Sequence, residues 1–417
     1  MNIKDFLTTS YTAYHATANA RARLVEAGFA PLVLGKPWHL EWGKGYFLER
    51  NGSALLAFRL GKKEDEFVFH LAESHTDSPS LKIKGNQLLD SPEGKRLNVE
   101  AYGGGLWYSF LDIPLRIAGR VLVEEKGRIL QKTVASECLV NIPSLCVHHG
   151  GKDTAEHLSL QNDMLPLVGT AESVYALVGE PNAIDGDLYV VPAVEPHLCG
   201  ADGGLLVSPR IDNLTSVWAS VEALVSAEPK GVAVAVLWDN EEIGSGTKQG
   251  AHSAWLPQVL GSIARNLGKS EDEYLGALAR GMALSIDNGH AVHPAHPEKS
   301  DPKERVYLDK GIVIKHHAHY STDGVSSAVL KKVLDKRDIP YQDYYNHSDT
   351  RCGGTLGLVT SAQLAMDAVD IGLAQLAMHS AVETVALADV SRMQEAVRAF
   401  FEIAPVADEE GWRLQHE

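Results

Sequence analysis

The chain has 417 residues, 45% hydrophobic and 22% charged, enough apolar content to bury one large or two smaller cores and to exclude a disordered or fibrous polymer. Its 38 basic and 54 acidic residues leave a formal charge of −16, which opposes nonspecific attachment to nucleic acid or an anionic membrane surface. Four cysteines, Cys138, Cys146, Cys199 and Cys352, lack CxxC spacing and are too few to staple so long a chain, so they read as free thiols in a reducing compartment.

In chain order, the opening MNIKDFLTTSYTAYHATANARARL breaks its apolar positions with Lys4 and Asp5 and shows no secretory core, and no apolar run reaches the length of a membrane span. A cytoplasmic location is the expectation. Residues 66–71, EFVFHL, predict a buried strand that empties into Glu73-Ser74-His75-Thr76-Asp77. From about 88 to 200 the texture shifts to β-like runs and turns, among them YGGGLWYSF, LRIAGRVLVEE and DLYVVPAV. This stretch contributes no candidate ligand. It predicts a β-rich domain at 88–200 inserted into a catalytic domain made of 1–87 and 201–417. Gly103-Gly104-Gly105 lacks the Lys-Ser/Thr and helix of a phosphate loop and reads as a tight turn.

After Asp212-Asn213, the residues Leu214, Val217, Trp218, Val221 and Leu224 share one helical stripe, so a helix begins just beyond Asp212. VAVAVLW (232–238) runs into Asp239-Asn240-Glu241-Glu242, and MALSI (282–286) into Asp287. Three strands thus end in imidazole or carboxylate donors, at the strand ends where open α/β sheets bind ligands. The run His316-His317-Ala318-His319, with His290, His293 and His296, has no adjacent carboxylates and reads as exposed or interface histidines. Only His317 or Tyr320 is left there to line a cavity. Near the end, Ser391-Arg392-Met393-Gln394 has the Ser-x-x-Gln form of a capping box and predicts a helix opening at Ser391.

His75, Asp212, Glu242, Asp287 and His379 offer nitrogen and oxygen donors without thiolate, which suits catalytic zinc, cobalt or manganese. Five donors exceed one open zinc site and fit two divalent ions sharing a carboxylate, roughly 3.5–4 Å apart. Residues i and i+2 of a strand share a side, so Asp77 is placed to orient His75 or the shared ligand. Adjacent Glu241 and Glu242 diverge, so one carboxylate binds metal while Glu241 stays free as general base for a water acidified by the ions. The donor set alone leaves open another dimetal amidohydrolase, such as a deacylase or dipeptidase, or an inactive scaffold.

The stretches HTDSP (75–79), YGGGLW (102–107), AGRV (118–121), SPRIDN (208–213), DNEEIGS (239–245), SIDNGHA (285–291), KGIVIK (310–315), CGGTLG (352–357) and QLAMHS (375–380) resemble the M18 metallopeptidases, the aspartyl aminopeptidase group, along nearly the whole chain. The resemblance implies a zinc-peptidase (phosphorylase/hydrolase-like) fold: a three-layer α/β/α catalytic domain with an inserted β-rich dimerisation domain, assembled from dimers into a homododecamer. It implies a dizinc aminopeptidase acting on peptides with a free N-terminus and preferring Asp or Glu there. His75 and Asp287 would hold one zinc, Glu242 and His379 the other, and Asp212 would bridge them, with Asp77 orienting and Glu241 as base. Lys315 matches the lysine that pairs with an acidic N-terminal side chain, and His148 the histidine lent to a neighbouring subunit's site. Asp349 is a candidate for holding the substrate's α-ammonium and Tyr320 for lining the pocket. The chain departs from the family pattern at Ser10–His15, at Phe110–Leu115, at His347-Ser348-Asp349 and at Val382. These departures remove arginines near the pocket and leave every metal donor in place.

Overall fold

The computed structural model describes residues 1–152 and 157–415. Among them, the larger part is built on a nine-stranded sheet in the order Ala30–Pro31, Gly45–Arg50, Ala54–Leu60, Val232–Trp238, Phe69–His75, Met282–Ile286, Asp367–Gly372, Ile312–His316 and Tyr341–Tyr345. Four central strands, 232–238, 69–75, 282–286 and 367–372, run parallel. Their neighbours 54–60 and 312–316 run antiparallel to them. The central strands are buried on both sides, which explains why VAVAVLW reads as a continuous apolar run rather than an alternating one.

The period-2 pleat sorts these residues into two cores. Leu55, Ala57, Ala233, Leu237, Leu284, Ile286, Val369 and Ile371 face helices Ile211–Ser226 and Leu387–Ile403, meeting Leu214, Val217, Val397 and Phe400. The intervening Leu56, Phe58, Val234, Val236, Trp238 and Ala283 face helix Trp255–Asn266, meeting Leu256, Val259 and Ile263. Alternate residues of one sheet thus serve helices on opposite faces, which is the three-layer α/β/α arrangement. Among the described residues no helix is long and apolar enough to cross a membrane.

Two expected element boundaries move. The strand read at 66–71 lies at Phe69–His75, so it carries Glu73, Ser74 and His75 itself. The last long helix begins at Leu387 rather than Ser391, because strand Glu383–Ala386 runs straight into it. Ser391 lies inside the helix. The buried carboxylate of Asp389 instead ties the first turn to the backbone N–H groups of Asp309 and Gly311, at 2.8 and 2.9 Å.

A second, antiparallel sheet of six strands has the order Arg128–Val140, Leu115–Glu125, Asp185–Pro192, Ser80–Ser91, Gly94–Tyr102 and Leu167–Gly169. It spans residues 80–192, against an expected insertion of 88–200, and has its own core around Leu81, Leu97, Phe110, Ile117, Val121 and Val190. A third sheet of five short strands places Glu383–Ala386 between Leu205–Ser208 and Ala374–Leu376. That sheet brings the segment leading to Asp212 alongside the loop that carries His379.

Candidate metal centre

His75 is the last residue of strand 69–75 and is almost fully buried. Its Nε2 lies 3.5 Å from Asp212 Oδ1, 3.7 Å from Asp287 Oδ1 and 3.9 Å from Glu241 Oε2. His379 Nε2 lies 3.5 Å from both Asp212 Oδ2 and Glu242 Oε1. Asp212 therefore stands between the two imidazoles, one oxygen towards each. Donor atoms of His75, Asp212 and Asp287 fall within 4.8 Å of one another, as do those of Asp212, Glu242 and His379 and those of His75, Glu241 and Glu242.

The sheet explains the convergence. Parallel register pairs Trp238 with His75, so the two strand ends are level and Glu241 and Glu242 emerge beside the imidazole. Asn240 makes the turn in the left-handed region at φ 63°, a conformation that asparagine tolerates better than most residues. Asp287 follows the next parallel strand directly. Three sequence-predicted strand ends therefore form one rim.

Each histidine is oriented from behind. His75 Nδ1 sits 3.0 Å from the Asp77 carbonyl and 3.4 Å from its Oδ1, so the main-chain oxygen rather than the expected carboxylate takes its N–H. His379 Nδ1–H donates to the Gly104 carbonyl at 3.0 Å. With Nδ1–H committed to a carbonyl behind it, each ring leaves Nε2 facing the carboxylates, the nitrogen that would bind a metal ion in place of its proton. The Asp77 carboxylate instead accepts the backbone N–H groups of Glu241 and Glu242, each at 3.2 Å, and the hydroxyl of Tyr102 at 2.7 Å. Buried Glu383 accepts the N–H of Asp212 at 2.9 Å through one oxygen and that of His379 at 2.7 Å through the other.

Tyr102, Gly104 and Glu383 were not singled out as site residues in the sequence. Tyr102 and Gly104 stood in the YGGGLW stretch, whose glycine turn packs against the site. At Gly103, with φ 74°, an added Cβ would sit 3.1 Å from the Cβ of Glu242, so both the backbone and the space require glycine there. Glu383 closes the His379-Ser380-Ala381-Val382-Glu383 stretch, in which the sequence singles out His379 and the departure at Val382.

The residues fit divalent cations. Asp212 Oδ1 and Glu242 Oε1 are buried and accept no hydrogen bond, which is costly for anionic oxygen unless a positive charge is bound there. Burial by itself would raise the Asp212 carboxyl, yet the imidazoles of His379 and His75 hold it well below the usual carboxylate range. Burial pushes Glu241 up to about 7, helped by Asp287, Asp77 and Asp212 and opposed by His75.

The cluster floors a cavity of about 290 Å³ whose walls include Lys315, Tyr320, Tyr344 and Arg351. Lys315 is buried, and its Nζ donates to the carbonyls of Asp287 and Asn288 at 3.0 and 3.2 Å, 3.6 Å from Asp287 Oδ2 and 5.2 Å over the Tyr320 ring. Asp349 is exposed, and the cavity wall is formed by the next two residues, Thr350 and Arg351. His148 sits exposed in the short turn Val147–His149 next to the six-stranded sheet, outside this chain's cavity. His316 leaves the cavity side, stacking on Tyr345 at 4.8 Å and bonding Asp343 at 2.8 Å.

Residues 6–401 match the family described as aminopeptidase I zinc metalloprotease (M18). The chain is 34% identical to the probable M18 family aminopeptidase 2 of Clostridium novyi, covering 96% of this chain and 97% of that protein. It superposes on a chain of the Ape4 and Nbr1 complex with TM-score 0.91 and 30% identity, covering 96% of this chain and 84% of that chain. It superposes on mApe1 from a dodecamer of S. cerevisiae with TM-score 0.82 and 25% identity, covering 96% and 95%. The chain therefore belongs to the M18 family and is a metal-dependent aminopeptidase.

Proposed function

We propose that this enzyme removes N-terminal residues from peptides with two divalent cations at one site, zinc first and cobalt or manganese as substitutes, and that it prefers acidic N-terminal residues. The observation that carries the two-cation reading is the position of Asp212, which offers one carboxylate oxygen to each of two separate donor triads. In this reading His75 and Asp287 would hold one ion, Glu242 and His379 the other, and Asp212 would be shared. Such a pair supplies Lewis acidity and acidifies a water at neutral pH.

The chain's own residues do the rest. Glu241, whose Oε2 lies 3.9 Å from His75 Nε2 beside the ligand Glu242, would take a proton from the attacking water and deliver it to the leaving amine. Asp77 holds the Glu241 and Glu242 backbone in place. Carboxylates lining the cavity take the substrate's α-ammonium, which makes a free N-terminus a condition of turnover. Lys315 gives the cavity the positive charge that supports an acidic side chain.

Assembly into a homododecamer of dimers is part of the proposal, with His148 reaching a neighbouring subunit's cavity. The dodecameric yeast relative supports it. So does the edge strand 128–140, which exposes Ile129, Leu130 and Leu139, an unpaired apolar edge of the kind a partner covers. Free cysteines are consistent with residence in the cytosol. The test is a panel of unblocked and N-acetylated aminoacyl anilides with metal-free enzyme resupplied with zinc. Turnover confined to the unblocked set supports the reading, and cleavage of the acetylated set would move it to a deacylase.

A further inference from the structure

Two cations wall the metal cavity, and they differ in what they are free to do. Lys315 spends two of its three N–H donors on the carbonyls of Asp287 and Asn288, so it is bound into the frame of the site. Arg351 lines the same cavity, and among the described residues its guanidinium has neither a hydrogen bond nor an ion pair. Arg351 is exposed where it lines this cavity floored by carboxylates, and its unpaired guanidinium is a planar fork with donors still to fill.

The loop that carries Arg351 is tied by hydrogen bonds on its N-terminal side. Before it, the Tyr344 hydroxyl donates to Asn346 Oδ1 at 2.8 Å, Asn346 Nδ2 donates to the Thr350 carbonyl at 2.7 Å, and the Thr350 N–H donates to the His347 carbonyl at 2.9 Å. After it, Gly353 and Gly354 continue the cavity wall into helix Leu356–Leu364. The residue just before Arg351 is therefore held in place.

We infer that Arg351 is a specificity-determining residue that binds the side-chain carboxylate of the substrate's N-terminal Asp or Glu. The inference rests on the acidic preference proposed above and assigns its main contact to Arg351, with Lys315 contributing field and framework. A guanidinium–carboxylate pair forms two parallel charge-assisted hydrogen bonds, which a buried ammonium with one donor left cannot match.

The test is the ratio of kcat/KM for Glu-p-nitroanilide over Leu-p-nitroanilide, measured on the zinc-loaded full chain for wild type, Arg351→Lys and Arg351→Gln. Anilides carry no C-terminal carboxylate, so they isolate the N-terminal side chain. Arg351→Gln is expected to lower the ratio roughly tenfold to a hundredfold, and Arg351→Lys to restore part of it. Zinc content and thermal midpoint measured alongside exclude loss of the fold as the cause. An unchanged ratio in Arg351→Gln overturns the inference. So does a loss seen equally on Glu-Ala and Leu-Ala dipeptides but absent from the anilides, which would assign Arg351 to the peptide's own carboxylate. A wild-type ratio near one removes the acidic-preference reading itself, and Arg351's role with it.

Discussion

The hydroxyl of Tyr102 donates a 2.7 Å hydrogen bond to Asp77 Oδ2, joining the last residue of a strand in the second sheet to the residue that orients His75. The same hydroxyl accepts Asn240 Nδ2 at 2.8 Å. Tyr102→Phe leaves Asp77 with its two backbone donors and Asn240 with one acceptor fewer. The expected result is a folded enzyme whose zinc affinity falls roughly tenfold or more, the usual cost of losing a partner behind a ligand. Competition against a chelator measures it. Wild-type affinity would leave Tyr102 as a packing residue only.

Glu241 and Glu242 are neighbours assigned opposite duties, which makes their variants separable. Glu241→Gln should keep the zinc content of wild type while kcat falls by about 10²–10⁴, the range of general-base contributions. Glu242→Gln should lose metal as well. Full activity in Glu241→Gln would end the base assignment.

Lys315 holds two backbone carbonyls beside Asp287, so Lys315→Met strips donors from buried oxygens and removes a charge next to a metal donor. Turnover of acidic and neutral substrates should fall together, with a loss of stability of about 1–3 kcal/mol. A loss confined to acidic substrates, with stability intact, would return the main specificity contact to Lys315.

Stability in acid should report His70, which is wholly buried with Nε2 2.9 Å from the Pro405 carbonyl. Burial lowers it from 6.5 to about 4, only partly offset by that hydrogen bond. Between those values the unfolded chain binds the proton and the folded chain does not. The contribution of this histidine is therefore complete above pH 6.5 and is lost as pH falls towards 4, by at most roughly 3 kcal/mol. Denaturant midpoints measured from pH 7 to 4 should fall less steeply in His70→Gln than in wild type. Parallel slopes would contradict the assignment.

Three of the candidate donor segments were legible because they end or follow short, strongly apolar strands. VAVAVLW and MALSI form strands over the same residues that the sequence marks out, and parallel pairing makes their ends meet. The residues behind the ligands were harder to find for a physical reason: their contacts are long-range. Gly104 meets His379 across 275 positions, and Glu383 meets Asp212 across 171. No periodicity encodes such a pairing. The predicted start at Ser391 failed for the opposite reason, since a local capping pattern was overridden by a strand that feeds the helix directly. Arg351 was passed over because a lone loop arginine has no signal until the cavity around it is seen.

The most direct measurement is a zinc titration of metal-free enzyme, following hydrolysis of unblocked Glu-p-nitroanilide at each addition. If Asp212 serves two cations, activity rises to its plateau at two zinc ions per chain. A plateau at one equivalent, with no further gain from the second, would contradict the two-cation site.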